Sequence, residues 1–445
     1  MLSKKIFYIG LLLVLLQLVA CAHKTPKPQQ VTLPKASIAD EVTFPQDLNF
    51  YAKQAGLKKN ILTPAQQQQA KRHFNSIFFG PWDMEHGLVK ASDACIRRAR
   101  GYKLTGQRWT QPEWDEIVAN ANLSQYPCMG LGAITIRNTD LREIPTHEAR
   151  YSKTGITPKE FPFDDFQYSQ LPIGMPLFLS HKSKDGRWYF AESPWVGGWI
   201  DANDVALTDE AFEQSYTSFP LAAIIQDQVP LPGVGTPGTI GTVLPLISKN
   251  NTQVKLYIPV RNDHGLAALK EIVLPSKAAA PHPLPFTPAN AAKLGNQLLG
   301  QHYGWGGMYG LRDCSATTHD LLAPFGIWLP RNSRAQAHKG IVIDLKGLPA
   351  EAKEDLVKAQ GVPFLSLVGL PGHITMYVGT YKDRPAILHN MWGVRTIEGS
   401  DNNARHVVGK TVITSLKPGF ELPDLYRERT FIDNVRSLST PIPQP

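Results

Sequence analysis

A chain of 445 residues is too long for one hydrophobic core, and its length alone calls for about two to four domains. With 42% apolar and 19% charged residues, it reads neither as a disordered chain nor as a polytopic membrane protein. The formal charge of +8 suits anionic surroundings, but no cluster of Lys and Arg is interleaved with aromatics, which disfavours nucleic acid as a partner.

Lys4 and Lys5 precede an apolar run from Ile6 to Ala20 that is too short to span a bilayer and right for a signal-peptide core, making residues 1–20 an export signal. The run ends in Leu18-Val19-Ala20-Cys21, which resembles the bacterial lipobox. That resemblance implies cleavage before Cys21 and lipidation of its sulfur. With Ala22 rather than Asp next, it also implies a lipid anchor in the outer membrane, facing the periplasm. Residues 21–38 are polar and rich in Pro and Lys, without periodicity, and read as a tether.

Residues 39–128 carry helical signals. Thr63-Pro64 is a cap followed by proline at the first helical position, with Phe74, Ile77 and Phe78 on one face. Thr110 and Glu113 have the spacing of a capping box ahead of Trp114, Ile117 and Val118. Cys95 and Cys128 both fall in this region and form a possible disulfide in an oxidising compartment.

From residue 129 the pattern changes to short β runs, Ala133 to Arg137, Met175 to Ser180 and Trp188 to Glu192, the last two flanking a turn at Asp185-Gly186. Gly197-Gly198-Trp199-Ile200 resembles the closing strand of bacterial SH3-like domains, which makes residues 129–209 a first small barrel. Residues 210–274, with strands at Thr239 to Ile247 and Val254 to Val260, read as a second SH3-like barrel or as the other half of one larger β domain. Pro275 to Pro285 is Pro- and Ala-rich, so residues 275–286 read as a linker, and residues 287–445 form the last domain, opening with a helix capped by Thr287-Pro288.

In that domain the loop Tyr303-Gly304-Trp305-Gly306-Gly307 leads through Asp313-Cys314-Ser315 into a helical stretch, which places Cys314 at a helix N-terminus. The helix dipole and free amides there are expected to lower the thiol pKa, and the loop glycines are expected to let a substrate backbone approach. Gly372-His373 opens an alternating strand, and His389 closes a neighbouring β run at its far end. Nucleophile, base and orienting group are then all present. His302, His319 and His338 have no zinc-ligand spacing with a second cysteine, and neither a metal nor another cofactor is required.

Tyr303-Gly304-Trp305-Gly306-Gly307, Asp313-Cys314-Ser315, Leu329-Pro330-Arg331, Gly372-His373 to Val378-Gly379, and Leu388-His389 resemble, in order and spacing, the NlpC-type cell-wall peptidases of papain-like fold. The resemblance covers about Asn290 to Arg395. It implies a γ-D-glutamyl-diamino-acid endopeptidase with Cys314 as nucleophile, His373 as base and His389 as orienter. Asp313 and Ser315 would bind the free amine of a leading L-alanine, and Tyr303 and Trp305 would form pocket walls. The sequence departs from the family pattern at Ala316 and in having Phe364 to Gly372 where a Pro-Gly-Asp motif is usual.

The expected fold is multidomain α+β: an N-terminal helical region, two small SH3-like β-barrels and a C-terminal papain-like α+β catalytic domain. The expected partners are peptidoglycan peptides, with the membrane reached through the N-terminal lipid. A non-catalytic envelope-binding scaffold and a related thiol amidase or acyltransferase stay open, as do the choice between intact wall and released peptides and the oligomeric state.

Overall fold

The computed structural model describes residues 38–94, 100–152, 163–397 and 405–442. The export signal, the tether up to residue 37, the lipidation site Cys21 and the cysteine Cys95 lie outside them. Cys128, the other half of the expected disulfide, is exposed.

Two of the N-terminal helices start where the Thr63 and Thr110 caps predict them, and two shorter ones precede these. α1 (Ala39–Thr43) is a single turn, and α2 (Leu48–Ala55) is capped by Asp47, whose side chain accepts from the Asn49 amide. α3 (Pro64–Phe78) has the reciprocal Thr63/Gln66 capping box and a proline at its start. α4 (Gln111–Asn120) buries Trp114. This region is helical, but among the described residues it has no core of its own. Leu48 and Tyr51 pack with Leu294, Met376 and Leu388 of the last domain. Phe74 and Phe78 pack with Leu141, Leu177 and Ile200 of the first sheet, and Trp109 and Trp114 with Trp188 and Trp199 of the same sheet. The helical region therefore mortars the two β regions to the last domain.

The first sheet holds β1 (Leu131–Thr135), β2 (Thr139–Arg142), β3 (Gln167–Leu171), β4 (Pro176–Lys182), β5 (Trp188–Glu192), β6 (Gly197–Asp201) and β7 (Val205–Leu207), ordered β3-β2-β6-β5-β4-β1-β7. After α5 (Glu210–Ser218), the second holds β8 (Leu221–Ile224), β9 (Val243–Lys249), β10 (Gln253–Arg261), β11 (Ala267–Pro275) and β12 (Ala279–Pro281), ordered β11-β10-β9-β8-β12. Both sheets are open, where barrels were expected. The edges that closure would need are taken by neighbours: β7 bonds to the turn before β11 through the Leu207 amide and the Gly265 carbonyl, and β3 is covered by the glycine loop of the last domain. The expected linker is not free either. Its Ala278-Ala279-Ala280 run is small enough to be buried, and β12 pairs antiparallel with β8.

The last domain opens with α6 (Pro288–Gly295), capped by Thr287, and continues to α7 (Cys314–Leu322). Its sheet contains β13 (Ile341–Asp344), β14 (Leu367–Leu370), β15 (His373–Tyr381), β16 (Arg384–Arg395), β17 (Arg405–Thr414) and β18 (Ser437–Thr440), ordered β13-β18-β14-β15-β16-β17. α7 lies against β15 and β16, which brings the helix start to the histidine-bearing strands.

Candidate active site

Cys314 is the first residue of α7, and Asp313 is its N-cap. One Asp313 oxygen accepts from the Ala316 amide (2.8 Å), the Ser315 hydroxyl (3.0 Å) and Arg331 Nη1 (3.0 Å); the other accepts from the Gly306 amide (3.1 Å) and Arg331 Nη2 (2.8 Å). Arg331 is itself buried and also donates to Ser315 Oγ and Ser169 Oγ, both at 2.8 Å. Burial alone would push the Asp313 carboxyl up, but Arg331 and the hydrogen bonds outweigh it and hold the group below the usual carboxylate range. Asp313 and Ser315 were expected to receive a substrate amine. In the resting chain their oxygens are engaged inside the protein, with five donors converging on the Asp313 carboxylate.

The glycine loop also differs from expectation. Gly306 (φ +58°) and Gly307 (φ +83°) press on β3: a Cβ at Gly306 would lie 2.6 Å from the Gln167 side chain, and one at Gly307 2.8 Å from Gln170 Cβ. These glycines allow the first sheet to approach, not a substrate backbone. Trp305 is fixed by its indole N–H donating to the Asp164 carbonyl (2.9 Å), and Phe163 lies 5.3 Å from Trp305 and 6.0 Å from Tyr303, ring to ring. Tyr303 and Trp305 thus stand with Phe163 and Trp392 as an aromatic wall of a cleft of about 410 Å³ that reaches His373.

α7 packs on β15, so that the Cys314 thiol lies beside the start of that strand, where the Ile374 and Ser315 amides favour its charged form. The thiol pKa is not lowered as the helix start suggested. Burial, then the Asp313 carboxylate, push it up to about 12 against those amides and Arg331. Burial, and then the Arg405 cation, push His373 down to about 4, and burial with His373 pushes His389 well below its ordinary value. At rest the site holds a neutral thiol beside a neutral imidazole.

His373 opens β15 as expected, while His389 lies inside β16 rather than at its end, because that strand continues to Arg395. His373 Nε2 is 2.8 Å from His389 Nδ1, and His389 Nε2 is 3.0 Å from Thr414 Oγ1. The Thr414 hydroxyl donates to the Ser415 carbonyl (2.8 Å), so toward His389 it is an acceptor. The direction of the whole chain follows. His389 donates from Nε2 to Thr414, its Nδ1 accepts from His373 Nε2–H, and His373 Nδ1 keeps the lone pair that can take the thiol proton.

Thr414 is diagonal to His389 across the ladder, since His389 pairs with Val412. Its neighbours are clamped from the N-terminal segment. The Gln46 side-chain amide bonds both backbone groups of Ile413 (2.7 and 2.9 Å), and Asp40 accepts from the Ser415 amide (2.8 Å) and hydroxyl (2.7 Å). Sequence reasoning missed Thr414, Asp40 and Gln46. Threonine in a strand is ordinary, and nothing in a polar segment far upstream signals a strand clamp.

Residues 300–410 match the NlpC/P60 family, residues 150–201 an SH3 domain of the SH3b1 type, and residues 10–126 the N-terminal NLPC_P60 stabilising domain. The chain is similar to a gamma-D-glutamyl-L-lysine dipeptidyl-peptidase of Bacillus cereus (strain ATCC 10987 / NRS 248), 28% identical over 166 residues. That match spans 35% of this chain and 44% of the relative, less than half of its length. Among solved structures, an NlpC/P60 endopeptidase from Photobacterium damselae subsp. piscicida is 26% identical, with a TM-score of 0.77, over 89% of this chain and 98% of that one.

Proposed function

The chain belongs to the NlpC/P60 family, and on that premise we propose that it is a cysteine peptidase of the bacterial cell wall that cuts stem peptides between γ-D-glutamate and the following diamino acid, diaminopimelate. The observation that carries this reading is the directed chain from His373 through His389 to Thr414 beside the helix that begins at Cys314, because it leaves His373 Nδ1 free as the base. The γ-D-glutamyl bond named for the Bacillus cereus relative supports the choice of bond.

In the reaction, Sγ of Cys314 attacks the γ-carbonyl carbon while His373 Nδ1 takes the thiol proton. Because the resting pair is neutral, this transfer accompanies attack and does not precede it. The oxyanion gathers charge at the start of α7, where the Cys314 amide is the donor we assign to it. Collapse expels the diamino-acid amine, which takes its proton from His373. Water, deprotonated by His373, then hydrolyses the thioester and frees the γ-D-glutamyl product. His389 and Thr414 hold the imidazole in the tautomer that serves both transfers.

The reading includes the location: an envelope lipoprotein held at the outer membrane through lipid on Cys21, facing the periplasm, with the lipobox-like Leu18-Val19-Ala20-Cys21 as its support. Cys21→Ala is expected to abolish incorporation of radiolabelled palmitate and release the protein from membranes. Incubating the protein with the tripeptide L-alanyl-γ-D-glutamyl-diaminopimelate should release diaminopimelate and the dipeptide. Release of intact L-alanine as the first product would instead mean that another bond is cut.

A further inference from the structure

Arg395 and Arg405 are directly opposite each other on β16 and β17. Like charges paired across a ladder repel, and such pairs are ordinarily relieved by a carboxylate nearby. Among the described residues neither guanidinium makes an ion pair, although Arg331, Arg312 and Arg142 elsewhere in the chain each have at least one. Both arginines line the cleft that reaches His373. Arg395 is held there with its guanidinium carbon 4.1 Å from the centroid of the Tyr426 ring, an arrangement that fixes the plane of its donors. Arg429, on the same cleft, donates to the Asn434 side chain (2.7 Å), and among the described residues no acid lines the cleft. A cationic, aromatic-walled cleft with two forks that have no counter-charge among the described residues is built to receive an anion.

We propose that Arg395 and Arg405 form the subsite for the side-chain carboxylate of the diamino acid on the leaving side of the scissile bond, and so select diaminopimelate over lysine. This rests on the function proposed above. The leaving amine must collect its proton from His373, so the residue that carries it lies on the His373 side of the nucleophile, in the cleft that the two arginines share. Diaminopimelate ends its side chain in an amino acid centre with a carboxylate, whereas lysine ends in an ammonium that two guanidinium groups repel. The charge of Arg405 also reaches His373, where it helps keep the imidazole neutral.

The test compares kcat/KM on three tripeptides: L-alanyl-γ-D-glutamyl-diaminopimelate, its lysine counterpart, and the diaminopimelate peptide with the glutamate α-carboxylate amidated. The wild type should favour diaminopimelate over lysine by about tenfold or more, the size expected for a charged hydrogen bond. In Arg395→Gln and Arg405→Gln that ratio should fall toward one, with Arg405→Lys intermediate and circular dichroism unchanged. An unchanged ratio in both Gln variants overturns the proposal, as does a loss that disappears when the glutamate carboxylate is amidated. Calorimetric binding of the same peptides to the Cys314→Ala chain decides the matter without turnover. If the wild type cleaves none of them yet the inactive chain still binds the diaminopimelate peptide through the two arginines, the subsite stands and the cleavage reading falls.

Discussion

Arg331, which pairs with the residue before Cys314, and the pair Arg395/Arg405, which line the cleft that reaches His373, are treated in opposite ways. Arg331 is buried, its fork closed by Asp313, Ser315 and Ser169. Arg395 and Arg405 line open space and face one another. A guanidinium that is neutralised within the protein belongs to the architecture of the helix start, and one without a counter-charge among the described residues is available to a ligand. In the function proposed above, the Asp313 side of the site holds Cys314 in place and the β16/β17 side receives the substrate.

The sharpest way to break this contrast is Arg331→Met. It leaves the Asp313 carboxylate buried without its cation, and stability should fall by about 3–5 kcal/mol, read from urea unfolding. A loss below about 1 kcal/mol would mean that Arg331 is no more structural than the cleft arginines. Next in size is Thr414→Val, which removes the acceptor that orients His389. We expect kcat to fall about tenfold or more with KM little changed, and Thr414→Ser to restore most of it. A fall in stability without a change in kcat would make Thr414 a packing residue only.

Arg405→Gln tests the electrostatic side. The Arg405 cation depresses the His373 pKa, so its removal raises it. The base works unprotonated. The acid limb of kcat/KM, expected near pH 4 in the wild type, should therefore move to higher pH in the variant, and a limb that stays put or moves lower contradicts the assignment. The same burial makes stability pH-dependent. Between the ordinary histidine value of about 6.5 and the folded value near 4, the unfolded chain binds protons that the fold refuses, so stability should decline as pH falls through that window. The smallest effect is Arg395→Gln on stability, a gain of up to about 1 kcal/mol from relieving the cross-strand repulsion, measured by thermal unfolding.

Much of the catalytic domain was legible because its signals are local. The Asp313 cap, the helix starting at Cys314 and the strand opening at His373 each follow from a few adjacent residues. The caps at Thr63 and Thr287 were equally plain. What sequence reasoning misjudged depends on distant partners. The loop glycines meet β3, some 140 positions upstream; Ala279 and Ala280 meet β8; and the Cys314 thiol is governed by how deeply tertiary packing buries it, which overrides the helix dipole. Asp40 was illegible for the same reason, since its partner Ser415 is 375 residues away. Arg331 stood in a motif that pointed to the family, but its role appeared only once Asp313 was seen to be its counter-ion.

In the proposed function, Cys314, activated by His373, cuts the γ-D-glutamyl bond. Mass spectrometry of L-alanyl-γ-D-glutamyl-diaminopimelate incubated with the wild type and with Cys314→Ala tests it most directly. Free diaminopimelate and L-alanyl-γ-D-glutamate are expected from the wild type and only intact tripeptide from Cys314→Ala. The same two products from Cys314→Ala at a comparable rate would contradict it.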